Sequence, residues 1–419
     1  MINLFRRHPH LLTFGILTAA FSSPGQTFLI SLFIGPMKDS LGMSPSLIAG
    51  LYALATVVSA LLLPLHGRSL DAMKLVTFTL VAGILLAAGC FVLAASSGVL
   101  SVFIGFLLIR NLGQGTLTMI SSTAMARMFG AFRGQALGIA SLGYPLSEAI
   151  FPFIIAFWIH EFGWRSGWVL LGALLLVFFS PAVILLLRRH SDKGISLLMK
   201  GQPARESDVK NWKRPSSAVR WTMGDILTDR RFYLLQMPMV VPPAFLTGLF
   251  FHQTSLMDWK DWDLHAVSAG FVLYAAARAL SSLAAGSVID RFSARSVFPW
   301  IPVPLAVAIL PLVMGHEIFW VYFYLGGAGL TMGLSVSVSS AVMAEVFGTE
   351  SLGTIRGYQS SIVVMATAAA PFLMGLFLDG GGSYAVLLAG IGVLTGLSAV
   401  FSALIFRSAP LRVSPVRGD

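Results

Sequence analysis

Two arginines stand inside apolar runs of this 419-residue sequence: Arg110 in "FLLIRNLGQGTLTM" and Arg278 in "FVLYAAARALSSLAAGSVIDRF". A guanidinium stays charged and offers a planar fork of donors that matches a carboxylate bidentately. Glu148, in "SLGYPLSEAIFP", is the clearest acid in a comparable setting, and His252, in "FFHQTS", can titrate near neutral pH. The chemistry on offer is capture of an anion and movement of a proton. Covalent catalysis has little to work with. There is no G-x-x-x-x-G-K-[ST] and no H-E-x-x-H. The one cysteine, Cys90, can form neither an intrachain disulfide nor a thiolate cluster. Neither a cofactor, a metal nor an enzymatic activity is expected.

The two arginines and Glu148 each have a polar companion four residues away, on one stripe if the segment is helical. The pairs are Tyr274 with Arg278, Arg110 with Gln114, and Tyr144 with Glu148. An arginine at the centre of a membrane helix costs about 2.5–3.5 kcal/mol on insertion scales, so two of them need a partner or a role. Two readings stay open. Glu148 either neutralises one arginine as a buried pair, or carries a coupled proton with its pKa raised by burial. In the second case at least one arginine faces water and receives an organic anion. Two cations against one acid leave a positive charge that a monoanion would balance.

The elements that must hold these groups follow from composition. Only 11% of residues are charged and 56% are hydrophobic, against roughly 25% charged in a soluble protein. The apolar residues come in blocks long enough to cross about 30 Å of hydrocarbon as helices, and their continuity argues against a β-barrel. Twelve helices are predicted, near 11–37, 45–66, 74–96, 99–126, 135–159, 165–188, 233–257, 265–288, 296–315, 317–345, 357–379 and 383–406. The first run is too long for a signal-peptide core and is expected to stay as a helix. On alternate sides of these spans stand 23 lysines and arginines against three, Lys38, Arg165 and Lys260. Basic loops remain cytoplasmic, which places both termini inside. Topology and lipid account for the net charge of +10, so nucleic acid is not an expected partner. Residues 189–231 form the one long polar segment, a linker whose end, with Thr222 three residues before Asp225, resembles a helix cap.

The halves repeat. At an offset of 219, residues 24–71 overlay 243–290, pairing Pro24 with Pro243, Gly67 with Gly286 and Asp71 with Asp290. "SSTAMARMFG" (121–130) overlays "SSAVMAEVFG" (339–348) one residue closer, which pairs Arg127 with Glu345. Breaks are predicted at corresponding places of the first and seventh helices, at Pro24-Gly25 before Gln26 and at Pro242-Pro243 before His252 and Gln253. Such softened helices in both halves point to a midplane site.

The G-x-x-x-D signatures "HGRSLDAMK" and "AGSVIDRF", each after the second helix of its half, resemble those of the major facilitator superfamily. That resemblance implies an all-α integral membrane fold of twelve transmembrane helices in two pseudo-symmetric six-helix bundles, 1–188 and 232–419. It also implies alternating access, with Gly67, Asp71, Gly286, Asp290, Arg291, Arg127 and Glu345 as gating residues. Ala72 replaces a basic residue in the first signature, which predicts a weaker latch in that half. The deep arginine of the eighth helix is similar to that of the monocarboxylate-porter and oxalate/formate-antiporter branch. Implied are a small organic anion as substrate, bound by Arg278, Arg110, Tyr274, Gln26, Tyr144 and Gln253. Protons or a counter-substrate would drive it, through Glu148 and His252. A monomer in a bacterial inner membrane is expected, and proton-coupled efflux of drugs or metabolites is the alternative.

Overall fold

A computed structural model describes residues 2–43, 45–188, 223–349 and 351–408. Among them every regular element is helical, the form in which a continuous apolar segment satisfies its own backbone in hydrocarbon. Eleven stretches are long and apolar enough to cross a membrane. One of them, Arg133–Leu187, contains Gly163 at φ 81°, ψ 163°. Only glycine adopts that conformation at low cost, and the turn there divides the stretch in two. The twelve helices are α1 (Pro9–Leu41), α2 (Pro45–Ala72), α3 (Leu75–Ala94), α4 (Val99–Met128), α5 (133–162), α6 (164–187), α7 (Arg230–Phe251), α8 (Leu264–Phe292), α9 (Ala294–Leu312), α10 (Phe319–Phe347), α11 (Leu352–Asp379) and α12 (Tyr384–Ser408). Large apolar side chains such as Phe153, Val177 and Leu280 point outward, as a hydrocarbon solvent allows. The expected cap at Thr222 and nearly all of the linker lie outside the described residues. A short helix, Met223–Thr228, precedes Asp229, whose carboxylate accepts the backbone N–H of Arg231 at 2.7 Å and so caps α7.

The helices gather into two compact units. The first comprises the described residues of Met1–Ala131, Ile139–Pro215 and Thr349–Val364. The second comprises those of Phe132–Gly138, Ser216–Gly348 and Met365–Asp419. Two short segments thus cross from the half in which they are numbered. Residues 132–138 lead into α5, and 349–364 hold the start of α11.

In the first unit α1 is broken where the sequence indicates. A 3-10 turn at Ser23–Gly25 separates Pro9–Ala20 from Thr27–Leu41. Opposite it, Arg110–Leu117 of α4 winds as a π-helix, a form that recurs at functional sites. The two irregular backbones touch. A methyl group on Gly25 would stand 2.1 Å from the Ile109 carbonyl oxygen, and one on Gly113 would stand 2.7 Å from the Gly25 nitrogen. In the second unit, α8 and α10 pack as closely. A methyl on Gly329 would meet the Tyr274 carbonyl at 2.3 Å, and one on Gly333 the Arg278 carbonyl at 2.3 Å.

The seventh helix departs from expectation. Pro238, Pro242 and Pro243 all lie inside a continuous α7, and the break falls at His252, before the short helix Gln253–Lys260. Neighbouring helices and local adjustment accommodate prolines within membrane spans. Lys260 also proves to be no loop charge. It is buried, and its Nζ donates to the carbonyls of Leu312 and Gly315 at 2.5 and 2.7 Å, closing the end of α9. Burial lowers its pKa from the ordinary lysine value.

The contact of Gly25 with Gly113 has a direct test. Gly113→Ala should lower the melting temperature in detergent, at a cost of about 1–3 kcal/mol for overpacking. Gly390→Ala, inside α12 with open space around the new methyl, should not lower it and should raise it if anything, because alanine favours helix over glycine.

Candidate functional site

Arg110 is 3% exposed and carries its charge among neutral groups. Its Nε donates to Thr56 Oγ1 at 3.0 Å, and its Nη1 donates to the Gly25 carbonyl at 3.0 Å and to Thr27 Oγ1 at 3.4 Å. The guanidinium carbon stands 4.9 Å from the centroid of the Tyr52 ring, a cation–π distance. Tyr52 in turn shares a 2.8 Å hydrogen bond with Thr27. The break in α1 therefore has a purpose: it turns the Gly25 carbonyl out of its own helix and toward the arginine. Beside it Gln26, at the start of the following helical segment, reaches back to Ser22 Oγ at 3.3 Å. Among the described residues no carboxylate lies within ion-pair reach of Arg110, so Glu148, half-buried on α5, does not neutralise it. Nη2 makes no hydrogen bond to a described residue.

The predicted pairing of Arg110 with Gln114 does not form. Gln114 Oε1 is buried without a hydrogen-bond partner among the described residues. The π-wound turn creates a link that spacing did not reveal. Thr116 Oγ1 donates to the Asn111 carbonyl at 2.8 Å and contacts His66 Nδ1 at 2.8 Å. With the hydroxyl proton already spent, Nδ1 of His66 is the donor.

At one end of the first unit Asp71 gathers a dense set of donors. Gly353 N and Thr354 N reach its two oxygens at 2.8 and 2.7 Å, the Thr354 hydroxyl donates at 2.6 Å, and Arg127 forms an ion pair with it. The carboxylate thus sits on the N-terminus of α11, where free N–H groups and the helix dipole favour negative charge. Arg127, 3% exposed, also donates Nε to the Thr349 carbonyl at 2.7 Å. Gly67 and Gly353 permit the approach: a methyl on Gly67 would lie 2.2 Å from the Gly353 carbonyl oxygen.

The second unit repeats the arrangement. Gly134 N and Gln135 N donate to Asp290 at 2.9 and 3.1 Å, and a methyl on Gly134 would lie 2.5 Å from the Gly286 carbonyl. Glu345 accepts from Arg133 Nη2 at 2.7 Å and from Ala294 N at 3.0 Å. In the first latch, which has Ala72, a helix terminus and Arg127 hold the aspartate. Arg291, by contrast, is exposed over the Phe292 ring and holds nothing in the latch; Arg133 supplies the paired cation instead.

The other candidates lie apart within the second unit. Arg278 is half-buried on α8. Tyr274 is buried in an aromatic group with Phe250 and Phe271, at centroid distances of 5.5 and 6.3 Å. His252 Nε2 meets the Pro371 carbonyl at 2.9 Å, which puts a proton on that nitrogen. Gln253 is buried, and neither of its amide atoms has a hydrogen-bond partner among the described residues.

The model of the Major Facilitator Superfamily matches residues 16–259 and again 244–418, one match for each half of the repeat. The chain belongs to the major facilitator superfamily. Two solved structures of superfamily form share its fold. The human organic anion transporter MFSD10 (TETRAN) superposes with a TM-score of 0.66 at 17% identity, over 96% of this chain and 99% of that one. The proton:xylose symporter XylE, bound to 6-bromo-6-deoxy-D-glucose, does so with a TM-score of 0.65 at 13% identity, over 94% of each. No curated protein sequence matches. In this superfamily member the sequence singled out Arg110 and Asp71 but missed the groups that hold them. Tyr52, Thr27 and Thr56 carry no motif, and only the fold brings them to the arginine. The Gly67–Gly353 and Gly286–Gly134 contacts are copies of each other under the repeat, since Gly67 corresponds to Gly286 and Gly134 to Gly353 at the offset of 219.

Removing Asp71 leaves Arg127 buried without its acid. Asp71→Ala should cost about 3–5 kcal/mol, the penalty for breaking one side of a buried pair. Asp71→Ala with Arg127→Leu should recover part of that loss in a detergent melting assay, without recovering transport.

Proposed function

We propose that this superfamily member is a secondary active transporter of a small, monocarboxylate-like organic anion, with Arg110 as the residue that receives it. One observation carries the reading: a guanidinium buried among hydroxyls, a carbonyl and a ring face, with no carboxylate beside it. Those neutral partners hold the fork in place and leave its charge uncancelled. An entering carboxylate would supply the missing negative charge and take the remaining Nη2 donors. Tyr52, Thr27 and Gln26 line the same place and would orient the substrate. Arg278, with Tyr274, Gln253 and Tyr144, is assigned to the substrate path as well. Gln253 supports this with two buried, unpartnered amide atoms.

The structural neighbours agree with either an anion or a sugar as cargo, since one is described as an organic anion transporter and the other as a xylose symporter. The choice of an anion therefore rests on Arg110. Energy would come from a proton gradient or from exchange, with Glu148 as the proton carrier and His252 as a second titrating group. The chain would act as a monomer in a cell membrane, a bacterial inner membrane, with both termini cytoplasmic. Asp71 and Asp290 would hold their helix ends when the cytoplasmic side is closed and release them when it opens.

Uptake of labelled carboxylates by proteoliposomes tests the assignment. Arg110→Lys keeps the charge and loses the fork, so KM should rise roughly 10- to 100-fold, the equivalent of about 1.5–3 kcal/mol for a charged hydrogen bond. Arg110→Ala should abolish saturable uptake while the protein stays monodisperse. Transport of cationic drugs alone, with every carboxylate excluded, would replace this reading with drug efflux. A separate measurement addresses coupling. Glu148→Gln should lose accumulation driven by an inward proton gradient and retain exchange of internal for external substrate.

A further inference from the structure

Arg356 has the form of a loop charge in the sequence, one of the basic residues that set the topology. The structure places it within the first turns of α11, inside a membrane-spanning helix. Its Nη2 donates to Ser122 Oγ on α4 at 2.9 Å, and its Nη1 donates to Gln359 Oε1 at 2.7 Å. Its Nε is buried with no hydrogen-bond partner among the described residues. Among the described residues no carboxylate lies within ion-pair reach. Tyr144 of α5 lies in its neighbourhood. The position is a costly one for a cation: α11 begins four residues earlier, and its positive end already faces this region. Three residues away on the same helix, Gly353 binds the carboxylate of Asp71, but that charge is matched by Arg127.

Comparison within the repeat shows that this arginine is an addition. At the offset that relates Asp71 to Asp290 and Gly353 to Gly134, the residue corresponding to Arg356 is Leu137. The counterpart of Ser122 on α10 is Ser340, whose hydroxyl is buried without a partner. The latch needs no cation at this place, since the second unit builds one without it. Arg356 therefore serves something that only the first unit does.

Ser122 supplies the location. It stands twelve residues beyond Arg110 on α4, roughly 18 Å along the helix at 1.5 Å per residue. Two uncancelled guanidinium groups thus occur along one helix of one unit, first Arg110 and then Arg356. Beyond them comes Arg127, whose charge is cancelled by Asp71.

We propose that Arg356, with Ser122, Gln359 and Tyr144, forms a second anion-binding station that takes a carboxylate after it leaves, or before it reaches, Arg110. This rests on the anion reading above and adds a step to it. A single deep site of high affinity would release its anion slowly. A second cation at one helix's remove offers the anion an intermediate stop, with Gln359 and Ser122 releasing guanidinium donors to it. Conduction through several weak sites follows the same logic.

The test uses the intact wild-type chain and the arginine reagent phenylglyoxal, with mass spectrometry of the Arg356 peptide as readout. Sodium benzoate and sodium lactate are added in parallel, with sodium gluconate as the salt control. Benzoate or lactate should slow modification of Arg356 about threefold at twice its dissociation constant, following the factor 1 + [L]/Kd. The protection should persist in Arg110→Gln and weaken in Ser122→Ala. An unchanged Arg356 rate, in a protein whose carboxylate uptake is saturable and lost in Arg110→Gln, overturns the second station and leaves the first. An unchanged rate with no carboxylate uptake overturns both. Protection without uptake supports the station and removes the transport reading.

Discussion

The constraint on which the first unit depends is a guanidinium held in a membrane with no acid beside it among the described residues. Arg110 cannot shed its charge as a lysine would, so the fold must stabilise it with dipoles. It does so by breaking two helices. The 3-10 turn in α1 frees the Gly25 carbonyl, and the π-wound turn of α4 sets the arginine against it. Glycines at 25 and 113 are then obligatory, because the backbones must touch for the carbonyl to reach. Tyr52 covers the face of the fork, and Thr56 takes its edge. Each irregularity in this region traces to the one buried charge.

A different economy governs the G-x-x-x-D signatures. There the buried charge is negative, and a helix N-terminus supplies the dipoles. Asp71 lies on the first N–H groups of α11, and Asp290 on those at the start of α5. The glycine four residues earlier lets the helix end come close enough. The residue after the aspartate takes no part in this contact: Ala72 stands there in the first copy, and Arg291 in the second is exposed over the Phe292 ring. Electrostatic help comes instead from Arg127, as an ion pair with Asp71, and from Arg133, which reaches Glu345.

Much of the fold was legible in the sequence because solvent dictates it. Continuous apolar blocks set the twelve spans, and the repeat at 219 set their pseudo-symmetry. Chain breaks were half legible. Pro24-Gly25 broke α1, whereas Pro242-Pro243 did not break α7, since a membrane helix can carry proline when its neighbours satisfy the freed carbonyls. Reading charges by loop position failed for individual residues. Lys260, Arg127 and Arg356 all count toward the asymmetry, yet each is drawn into a helix end, where carbonyls, a carboxylate or a hydroxyl receives it. Hydropathy reports where a segment lies, and it says nothing of which way a long side chain turns. The companions of Arg110 were invisible for a related reason. Threonines 27 and 56 and Tyr52 are ordinary residues until tertiary packing collects them.

The repeat also sorts these charges by purpose. A feature present in both units belongs to what both units do, and the aspartate on a helix end is of that kind. Features found in one copy only must serve a task that the symmetry does not share. Arg110 faces glycine and alanine at the corresponding positions near 328–329, Arg278 corresponds to Ser59, and Arg356 corresponds to Leu137. Two of the three belong to the first unit and lie along α4, one on it and one bonded to it through Ser122. A symmetric scaffold that moves one kind of solute needs an asymmetric lining, because the solute itself lacks the symmetry. Arg110 and Arg356 both stand in the first unit, while Arg278 and the aromatic group around Tyr274 stand in the second.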